Sequence, residues 1–414
     1  MPPPVEKYTL VDTVLTQALS RIRVRRAEEN VSSRATYGRI LAEDILASAD
    51  VPPSPTSHWD GYAVISRDLS GASHANPVFL RVVGAAGPGE RSESTVGHGE
   101  SLQVATGTPM PYGADAVVPV ESARTDGDRI IVEDPVEVGS HVYAAGEDVR
   151  KGETLLRKGR AIRAQDVGLL IAAGFKSVKA WKRPVVSVLA TGSELTEADN
   201  PRTGKVVNSH SPVFVRLCER LGCDTVDMGI VGDSKVEISR VLRKALNMAD
   251  LVLTLGGTSA GKHDYIAEAV GRLNPSLLVH GVKMDRGRVT GLAVVDGKPI
   301  LMMPGPIQGA MNAFILLGLP MIEVLSGAKV ACAEVECAFA EPWEARRRYA
   351  DFRKVVYVTL EDGSRTTARP LLAETESMRV LSQADGYVIV PENVTRIDAG
   401  DRVSARILPG LSFA

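Results

Sequence analysis

The stretch LVLTLGGTSAGKHD, residues 251–264, combines the pattern of a buried strand with a glycine-rich turn and a charged cluster. The residues that follow it, IAEAVGRL, have apolar side chains at helical spacing. Glycines let the backbone approach a ligand closely, and free N–H groups at a helix N-terminus favour negative charge. The stretch therefore predicts a site for a phosphate or another oxyanion. We expect its ligand contacts to come from Gly256, Gly257, Ser259, Gly261 and Lys262.

The same residues spell G-x-x-x-x-G-K, the beginning of a P-loop. A P-loop needs Ser or Thr at the next position to place a hydroxyl on magnesium. This chain has His263 there, which is a poor ligand for a hard cation, and the carboxylate of Asp264 follows one position late. The sequence thus argues against a P-loop nucleotide hydrolase. The remaining alternative is a plain strand-to-helix turn with incidental glycines.

Strand and helix patterns alternate regularly over residues 181–327, which predicts a doubly wound α/β domain with a mainly parallel sheet. Ligands in such sheets bind beyond the carboxyl ends of the strands. Three predicted strand ends carry residues suited to chemistry, in the segments ATGSEL, LGGTSAGKHD and MMPGP. We therefore expect the functional site of this domain at that edge of the sheet.

The flanking regions predict further domains. Residues 8–22 and, more briefly, 39–47 have helical spacing, so residues 1–50 are expected to form the helical part of a linker domain. Short strands between glycine-rich turns predict an inserted β-domain over 51–143. Residues 144–180 are expected to return to the linker domain, with a helix that ends at Gly174. The strand-rich remainder, 328–414, predicts a small β-barrel or sandwich.

Composition narrows the classes of partner. The 414 residues are enough for two to four domains, and the net charge of −2 provides no global basic field for nucleic acid or an anionic membrane. No apolar run approaches the length of a membrane span, and the beginning MPPPVEKY has no secretory signal pattern. The four cysteines lack metal-ligand spacing, so we expect buried free thiols. A cytoplasmic protein that acts on small molecules is the expectation.

Six motifs occur in one order along the chain: DVPPSPTSHWDGYAV, VATGTPMPYGADAVVPVE, AGEDVRKGETLLRKG, LATGSEL, GGTSAGKHDY and MMPGP. Together they resemble the MoeA family of molybdopterin molybdenumtransferases, to which the gephyrin E domain is related. The resemblance covers essentially the whole length, and six motifs in order are far more specific than any one of them. It implies an elongated multidomain α/β and β subunit with a MogA-like α/β domain, an inserted β-domain, a linker domain and a C-terminal β-barrel.

The resemblance also implies an activity. Members of the family insert molybdate or tungstate into adenylylated molybdopterin and release AMP, with Mg2+ as cofactor. They are homodimers whose active cleft uses the α/β domain of one subunit and a β-domain of the other. An upstream molybdopterin adenylyltransferase is implied as the source of the substrate.

Matching the motifs residue by residue implies a set of catalytic positions: Asp60, Thr106, Glu194, Asp233 and Asp264. Glu194, Asp233 and Asp264 follow successive strand patterns, so these three carboxylates are expected to converge on the metal ion. Simpler explanations exist for some of these residues. Asp60 with Gly61 could form an ordinary turn, and Asp233 could cap the following helix.

Molybdate is a tetrahedral dianion, which requires arginine or lysine together with N–H donors. Arg353 and Ser377 in the final region match family positions of this kind. The loop GVKMDRGRVTG adds Lys283, Arg286 and Arg288, although a solvated basic loop is an equal alternative. The strand end MMPGP adds Pro304 and Gly305 as substrate-binding positions.

The chain departs from the family pattern at several positions. The first loop reads SHWDGYA where SAMDGYA is usual, and Asn208-Ser209-His210 replaces D-S/T-N, which removes a carboxylate. Asp285 stands where M-K-P-G-K-P has a lysine, and Pro306 replaces the amide residue of P-G-N-P. These changes leave open a divergent paralogue, a scaffold that binds the pterin without turnover.

Overall fold

The computed structural model describes residues 7–197, 204–258, 264–329, 332–363, 365–372 and 377–408. These residues belong to two units. One comprises the described residues of Met1–Glu29, Gly38–Ile40 and Trp181–Ala414, and the other comprises Asn30–Tyr37 and Leu41–Ala180.

One α-helix, α1 (Val11–Leu19), forms within residues 7–50, and it buries Val11, Val14 and Ala18 in the core of the larger unit. The strands β1 (Glu28–Ser32) and β2 (Ile45–Leu46) follow it. The predicted helix over residues 39–47 is wrong, because this segment is extended. Its backbone N–H groups bond to distant parts of the chain: that of Ala42 to the carbonyl of Lys179 and that of Ala47 to the carbonyl of Glu153. These tertiary contacts override the short run of helical spacing.

Residues 51–143 contain the predicted short strands, and their main sheet has the order β7-β4-β6-β5-β9-β8. Side chains alternate across β4, so that Tyr62 and Val64 join one apolar cluster and Ala63 joins another. The sheet is therefore covered on both faces. The strands are β3 (Thr56–Ser57), β4 (Gly61–Val64), β5 (Val78–Ala86), β6 (Glu100–Val104), β7 (Ala116–Pro119), β8 (Ala123–Asp126), β9 (Arg129–Val132) and β10 (Val142–Tyr143).

The chain then forms β11 (Thr154–Leu156), which pairs antiparallel with β2, followed by α2 (Ala164–Ala172) and β12 (Ser177–Trp181). The predicted helix that ends at Gly174 is thus confirmed, to within two residues.

A six-stranded sheet of order β16-β13-β17-β20-β19-β18 forms the centre of the larger unit. Its first four strands are parallel, and β19 alone runs antiparallel to its two neighbours, β20 and β18, which confirms a doubly wound, mainly parallel domain. The elements are β13 (Val185–Thr191), β14 (Leu195–Thr196), β15 (Val206–Val207), α3 (His210–Arg220), β16 (Asp224–Val231), α4 (Lys235–Met248), β17 (Leu251–Leu255), α5 (Tyr265–Gly271), β18 (Leu277–His280), β19 (Gly291–Val295), β20 (Lys298–Met303), α6 (Ile307–Ala313) and α7 (Leu319–Ser326).

A π-helical turn, Phe314–Gly318, joins α6 to α7, so Ile307–Ser326 is one continuous helical stretch of 20 residues. By length and apolar composition alone it would suffice to cross a membrane. However, 78% of its apolar window is buried inside the fold, as in the core helix of a globular domain. It packs against α1, the sheet and Tyr357 and Tyr387 of the last domain.

The remaining strands form the predicted barrel, which is closed in the order β21-β24-β23-β25-β27. Its interior cluster includes Cys337, Phe339, Val358 and Val388. The elements are β21 (Glu334–Phe339), β22 (Trp343–Glu344), β23 (Lys354–Glu361), β24 (Thr367–Pro370), α8 (Met378–Gln383), β25 (Gly386–Val390), β26 (Arg396–Ile397) and β27 (Arg402–Ile407). The four cysteines are free, and three of them are buried, as expected.

Candidate functional site

A cavity of about 190 Å3 lies at the carboxyl ends of the parallel strands β13 and β17. We call it the strand-end cavity. Its position is the one at which doubly wound sheets bind ligands. Its lining residues are Ala190, Thr191, Glu194, Leu195, Val206, Val207, Asn208, Ser209, His210, Leu255, Gly256 and Gly305.

The first two glycines of the turn after β17 have a packing role. Gly256 and Gly257 have φ of +82° and +68°, in the left-handed region. A Cβ on Gly256 would lie 2.6 Å from the carbonyl oxygen of Thr191, and one on Gly257 would lie 2.5 Å from its Oγ1. Only glycine fits there. The N–H of Gly256 is used, because it donates to the carbonyl of Met303 at 3.1 Å.

The other three predicted contacts in this turn, Ser259, Gly261 and Lys262, lie outside the described residues. Of the residues in MMPGP, Gly305 lines the strand-end cavity, whereas Pro304 is buried and is not among the lining residues.

Glu194 and Asp233 lie at the ends of neighbouring strands and are both exposed. The two strand ends are joined through Ser193: its N–H donates to Oδ2 of Asp233 at 3.2 Å, and its Oγ accepts from the Asp233 N–H at 3.0 Å. Asp233 is not the helix cap that the sequence allowed, because Ser234 caps α4 by accepting from the N–H of Glu237. Asp233 is thus left with an exposed carboxylate beside the cavity edge that Glu194 lines.

Asp264 differs from these two because it is only 2% exposed. Its Oδ1 accepts from the N–H of Ala267 at 3.0 Å and caps α5. Its Oδ2 lies 2.9 Å from Nε2 of His280, without the geometry of a hydrogen bond. Oδ2 receives no hydrogen bond from the described residues, which is costly for a buried carboxylate oxygen, so it suits a cation, whether a metal ion or a protonated His280.

The predicted convergence of Glu194, Asp233 and Asp264 is not formed. The part of the chain that the structure describes contains no group of three or more His, Cys, Asp or Glu side chains placed to hold a metal. Magnesium, however, is commonly held by one or two carboxylates together with substrate phosphates and water. The orphaned Oδ2 of Asp264 fits a site of that kind.

The departures at residues 208–210 change the strand-end cavity. Asn208 is 7% exposed; its Nδ2 donates to Glu197 at 2.7 Å, and its Oδ1 accepts from the hydroxyl of Ser211 at 3.0 Å. Both the nitrogen and the oxygen of the Asn208 amide are therefore hydrogen-bonded. Burial lowers the pKa of His210, against an opposing backbone hydrogen bond at Gly305. This side chain is consequently neutral at pH 7.

A second cavity, of about 240 Å3, lies between the α/β domain and the barrel. We call it the cationic pocket, because three of its lining side chains are basic and two are acidic. Its lining residues are Asp285, Arg286, Gln308, Trp343, Glu344, Arg346, Lys354, Val355, Val356, Tyr357, Leu371 and Leu372.

The basic loop predicted from the sequence supplies one residue to this pocket. Arg286 lines it, and its Nη1 donates to Oε1 of Gln308 at 2.7 Å. Asn312 fixes the loop backbone, since its Nδ2 donates to the carbonyls of both Asp285 and Arg286. The guanidinium of Arg288 instead stacks on Tyr349, 5.1 Å from the ring centre, and Arg288 is not among the lining residues.

Arg353 does not line the cationic pocket either, and its guanidinium is engaged elsewhere. Asp12 binds it through both oxygens, at 2.6 and 2.8 Å, and Glu392 binds it at 3.1 Å. The hydrogen bonds to Asp12 raise the pKa of Arg353, against the effect of burial. Ser377 is a helix cap, whose Oγ accepts from the N–H of Arg379.

Lys354 is the residue that reaches the pocket from this segment. It is 2% exposed, and its Nζ donates to the carbonyls of Pro391 at 3.0 Å and Val394 at 2.7 Å. Sequence reasoning missed Lys354 and Arg346, because neither stands in one of the six motifs. The alternation of β23, which begins at Lys354, is the signal that could have placed this lysine on a buried face.

In the other unit, Thr106 donates to Oδ1 of Asp60 from both its N–H, at 2.6 Å, and its hydroxyl, at 2.9 Å. These hydrogen bonds lower the pKa of Asp60. Asp60 and Gly61 do not form the turn that was the simpler explanation. Gly61 begins β4, where a Cβ would lie 2.1 Å from the carbonyl oxygen of Val118. Asp60 is therefore an exposed, ionised carboxylate directly before the strand β4.

Beside Asp60, four aromatic side chains form a cluster. The hydroxyl of Tyr143 lies 2.9 Å from Nε2 of His58, and the rings of Trp59 and His141 are 5.1 Å apart. Trp59 is 44% exposed. The aromatic residues that replace Ala and Met of the usual pattern in this loop thus pack with two further rings and leave the indole partly open.

Three family descriptions match successive parts of the chain. "MoeA N-terminal region (domain I and II)" matches residues 10–174, "Probable molybdopterin binding domain" matches 187–324, and "MoeA C-terminal region (domain IV)" matches 337–408. The strand-end cavity falls within the second of these regions.

Relatives of similar length share this arrangement. A protein of Staphylococcus aureus strain COL is 30% identical over 378 residues, which are 90% of this chain and 89% of the relative. One of Staphylococcus epidermidis is 29% identical over 415 residues, 99% of this chain and 98% of the relative. Both are named molybdopterin molybdenumtransferase.

Solved structures agree. The MoeA protein of Pyrococcus horikoshii OT3 has a TM-score of 0.82 and 29% identity, covering 97% of this chain and 100% of its own. A molybdenum cofactor biosynthesis protein of Pyrococcus furiosus, with a TM-score of 0.60, 21% identity and coverage of 97% and 100%, shows the same fold. From the 30% identity over most of both sequences, together with the three matched regions, the chain belongs to the MoeA family.

Proposed function

We propose that this protein is a molybdopterin molybdenumtransferase, which inserts molybdate or tungstate into adenylylated molybdopterin with magnesium-dependent release of AMP. The observation that carries the proposal is the pair of cavities in the larger unit. One lies at the strand ends within the region that matches a molybdopterin-binding description, and the other is lined by three basic and two acidic side chains.

In the proposal, the strand-end cavity binds the pterin-containing substrate. Neutral His210, the amide of Asn208 and the backbone at Gly256 and Gly305 line the cavity with polar groups that carry no net charge. Such groups fix the orientation of a polar heterocycle. The close packing of Gly256 and Gly257 on Thr191 keeps this wall of the cavity rigid.

Asp264 would hold the magnesium through its orphaned Oδ2. When bound, magnesium supplies neutralisation of the charge that develops on the departing phosphate. Capping of α5 by Oδ1 keeps the carboxylate in one orientation, with Oδ2 beside Nε2 of His280. Glu194 and Asp233 stay in the proposal as exposed acids at the cavity edge.

The cationic pocket would bind the tetrahedral oxyanion. Arg286 and Lys354 place positive charge there, and Gln308 orients Arg286. Because Arg353 is already paired with two carboxylates, we assign it a structural role in place of the one expected from the sequence.

Asp60 completes the proposed set. The hydrogen bonds from Thr106 keep its carboxylate ionised at neutral pH, and both bonds go to Oδ1. Oδ2 receives no hydrogen bond from the described residues, so it can accept a proton or a hydrogen bond from substrate.

Further parts of the proposal rest on the family and on the sequence patterns. They are a homodimer, a cytoplasmic location, an upstream adenylyltransferase that supplies the substrate, and the domain limits 1–50, 51–143, 144–180, 181–327 and 328–414. The match to relatives over nearly their whole length supports them together.

The direct test is AMP release from adenylylated molybdopterin under anaerobic conditions, with magnesium and with molybdate or tungstate in parallel. We expect release that depends on an oxyanion. Tight binding of the pterin without release, at any oxyanion concentration, would contradict the proposal and favour a scaffold protein. The altered Asn208 position gives that second candidate its support.

A further inference from the structure

Arg346 lines the cationic pocket from the barrel domain, although it stands outside every motif that identifies the family. It lies in the segment between β22 and β23. Its guanidinium contacts Asp285, which is on the loop of the α/β domain, 61 positions earlier in the chain. The ion pair thus connects the two walls of the pocket.

The contact has a side-on geometry. Nε of Arg346 donates to Oδ2 of Asp285 at 3.2 Å, and Nη2 donates to Oδ1. Asp285 is itself fixed, because its Oδ1 also accepts from the N–H of Arg286 at 2.9 Å and its side chain is only 15% exposed. Among the described residues none accepts a hydrogen bond from Nη1 of Arg346. The carboxylate therefore orients the guanidinium while Nη1 stays available.

The other charged side chains of the pocket are less available to an incoming anion. Nζ of Lys354 is surrounded by backbone carbonyls, and Glu344 is paired with Arg396 at 2.9 Å. Arg286 donates to Gln308. Arg346, whose side chain is 48% exposed, is the basic residue of the lining that a solute reaches most readily.

We infer that Arg346 is an oxyanion-binding residue of the cationic pocket and that Asp285 positions it. Asp285 occupies a position at which the family pattern has a lysine, and Arg286 occupies one at which it has a proline, so the loop still has lower positive charge than the pattern. The ion pair brings a guanidinium from the barrel to the same loop. The positive charge of the pocket is thus resupplied from another domain.

The ligand class follows from the donor. Because Asp285 holds Nε and Nη2, the N–H donors of Nη1 and the positive charge of the guanidinium remain for the oxygens of a tetrahedral dianion. The inference rests on the proposed function, since it assigns the cationic pocket to molybdate or tungstate. The test must therefore show whether a negative result contradicts the assignment of the whole pocket to molybdate or only the role of Arg346.

The experiment measures molybdate binding to the full-length protein by equilibrium dialysis, without any pterin. Arg346→Gln should weaken binding about tenfold, the factor that corresponds to 1.4 kcal/mol, which is typical for one charge-assisted contact. Arg347→Gln is the matched control, because Arg347 is exposed, adjacent and absent from the lining. Its affinity should equal that of the parent.

Kinetics provide a second readout. In AMP release, Arg346→Gln should raise the half-saturating molybdate concentration about tenfold and leave the rate at saturating molybdate within about twofold. Arg346→Lys retains the charge but loses the fork, so it should recover part of the affinity. Thermal unfolding of each variant checks that the fold is retained.

The outcomes are separable. If the parent binds molybdate and Arg346→Gln binds equally well, the inference about Arg346 is overturned and the proposed function stands. If Arg346→Lys binds molybdate as weakly as Arg346→Gln, the inference is also overturned, because positive charge would then not be the basis of molybdate binding. If the parent binds no molybdate, the assignment of the pocket itself fails, whatever the variants do.

Discussion

The strand-end cavity and the cationic pocket are built in different ways. The first is made of short segments that directly follow the strands of one sheet, and its walls are mostly backbone, glycine and neutral side chains. The second is made by two domains, and its side chains are held by ion pairs and hydrogen bonds between residues far apart in sequence. A site of the first kind can be found from local motifs, whereas a site of the second kind tolerates exchange of its charged residues between domains.

The largest effect expected from this contrast lies at the strand ends, in Asp264→Asn. The amide oxygen can still cap α5, so the fold should persist, but the carboxylate charge for the cation is lost. We expect AMP release to fall at least about 100-fold, because a metal's charge stabilisation is worth several kcal/mol. Binding of Mn2+ in place of Mg2+, followed by electron paramagnetic resonance, gives a readout independent of turnover.

The matched control for Asp264→Asn is Glu237→Gln, the same change of charge on the exposed face of α4. It should alter neither measurement. Parent-like turnover and Mn2+ affinity in Asp264→Asn would show that the buried carboxylate is only a helix cap.

A smaller effect is expected for Arg353→Gln, which should lower the stability of the fold without weakening molybdate binding. Arg353→Gln removes the pairing of Arg353 with Asp12 and leaves Glu392 without its cation. We expect the free energy of unfolding, measured with urea, to fall by about 1–2 kcal/mol. Molybdate affinity should change less than about twofold, since Arg353 is not part of the pocket lining.

That pattern is the reverse of the one expected for Arg346→Gln, so the two variants serve as controls for each other. Loss of molybdate binding in Arg353→Gln, with unchanged stability, would restore the role that the sequence motif indicated for it.

The smallest effect is a pH dependence at the strand-end cavity. Burial holds the pKa of His210 below its ordinary value of 6.5, so the unfolded chain takes up the proton more readily. Stability should therefore fall as the pH drops below 6.5, until the folded-state pKa is reached. His210→Gln should lessen this decline between pH 7 and 5.5 in urea titrations; an identical decline in both proteins would mean that folding does not lower the pKa of His210.

The sequence predicted the α/β domain well because each strand pattern ends in its own turn and is followed by its own helix. Residues 185–191 and 251–255, for instance, are mostly apolar and become parallel strands that are almost entirely buried. The segment 39–47 was misread, since its helical spacing is short and its backbone hydrogen bonds come from residues more than 100 positions later.

The same limit applies to the site. Asp264 was predicted from a local motif, but its burial and its contact with His280 depend on where the start of α5 lies relative to β18. Arg353 precedes β23 and Lys354 is its first residue, so their side chains point in different directions. Only Lys354 reaches the pocket. Such choices arise from packing between domains, which no single motif encodes.

The buried helical stretch Ile307–Ser326 has a consequence for biosynthesis. Part of its apolar surface is covered by barrel residues, among them Tyr357, Val380 and Tyr387, and the Tyr357 hydroxyl donates to Asn312 at 2.7 Å. Because synthesis proceeds from the N-terminus, the ribosome releases this segment before the residues that cover it exist. During that interval a 20-residue apolar stretch is open to chaperones and to other nascent chains. Folding of the barrel is thus also the step that covers this apolar stretch and ends its exposure to other chains.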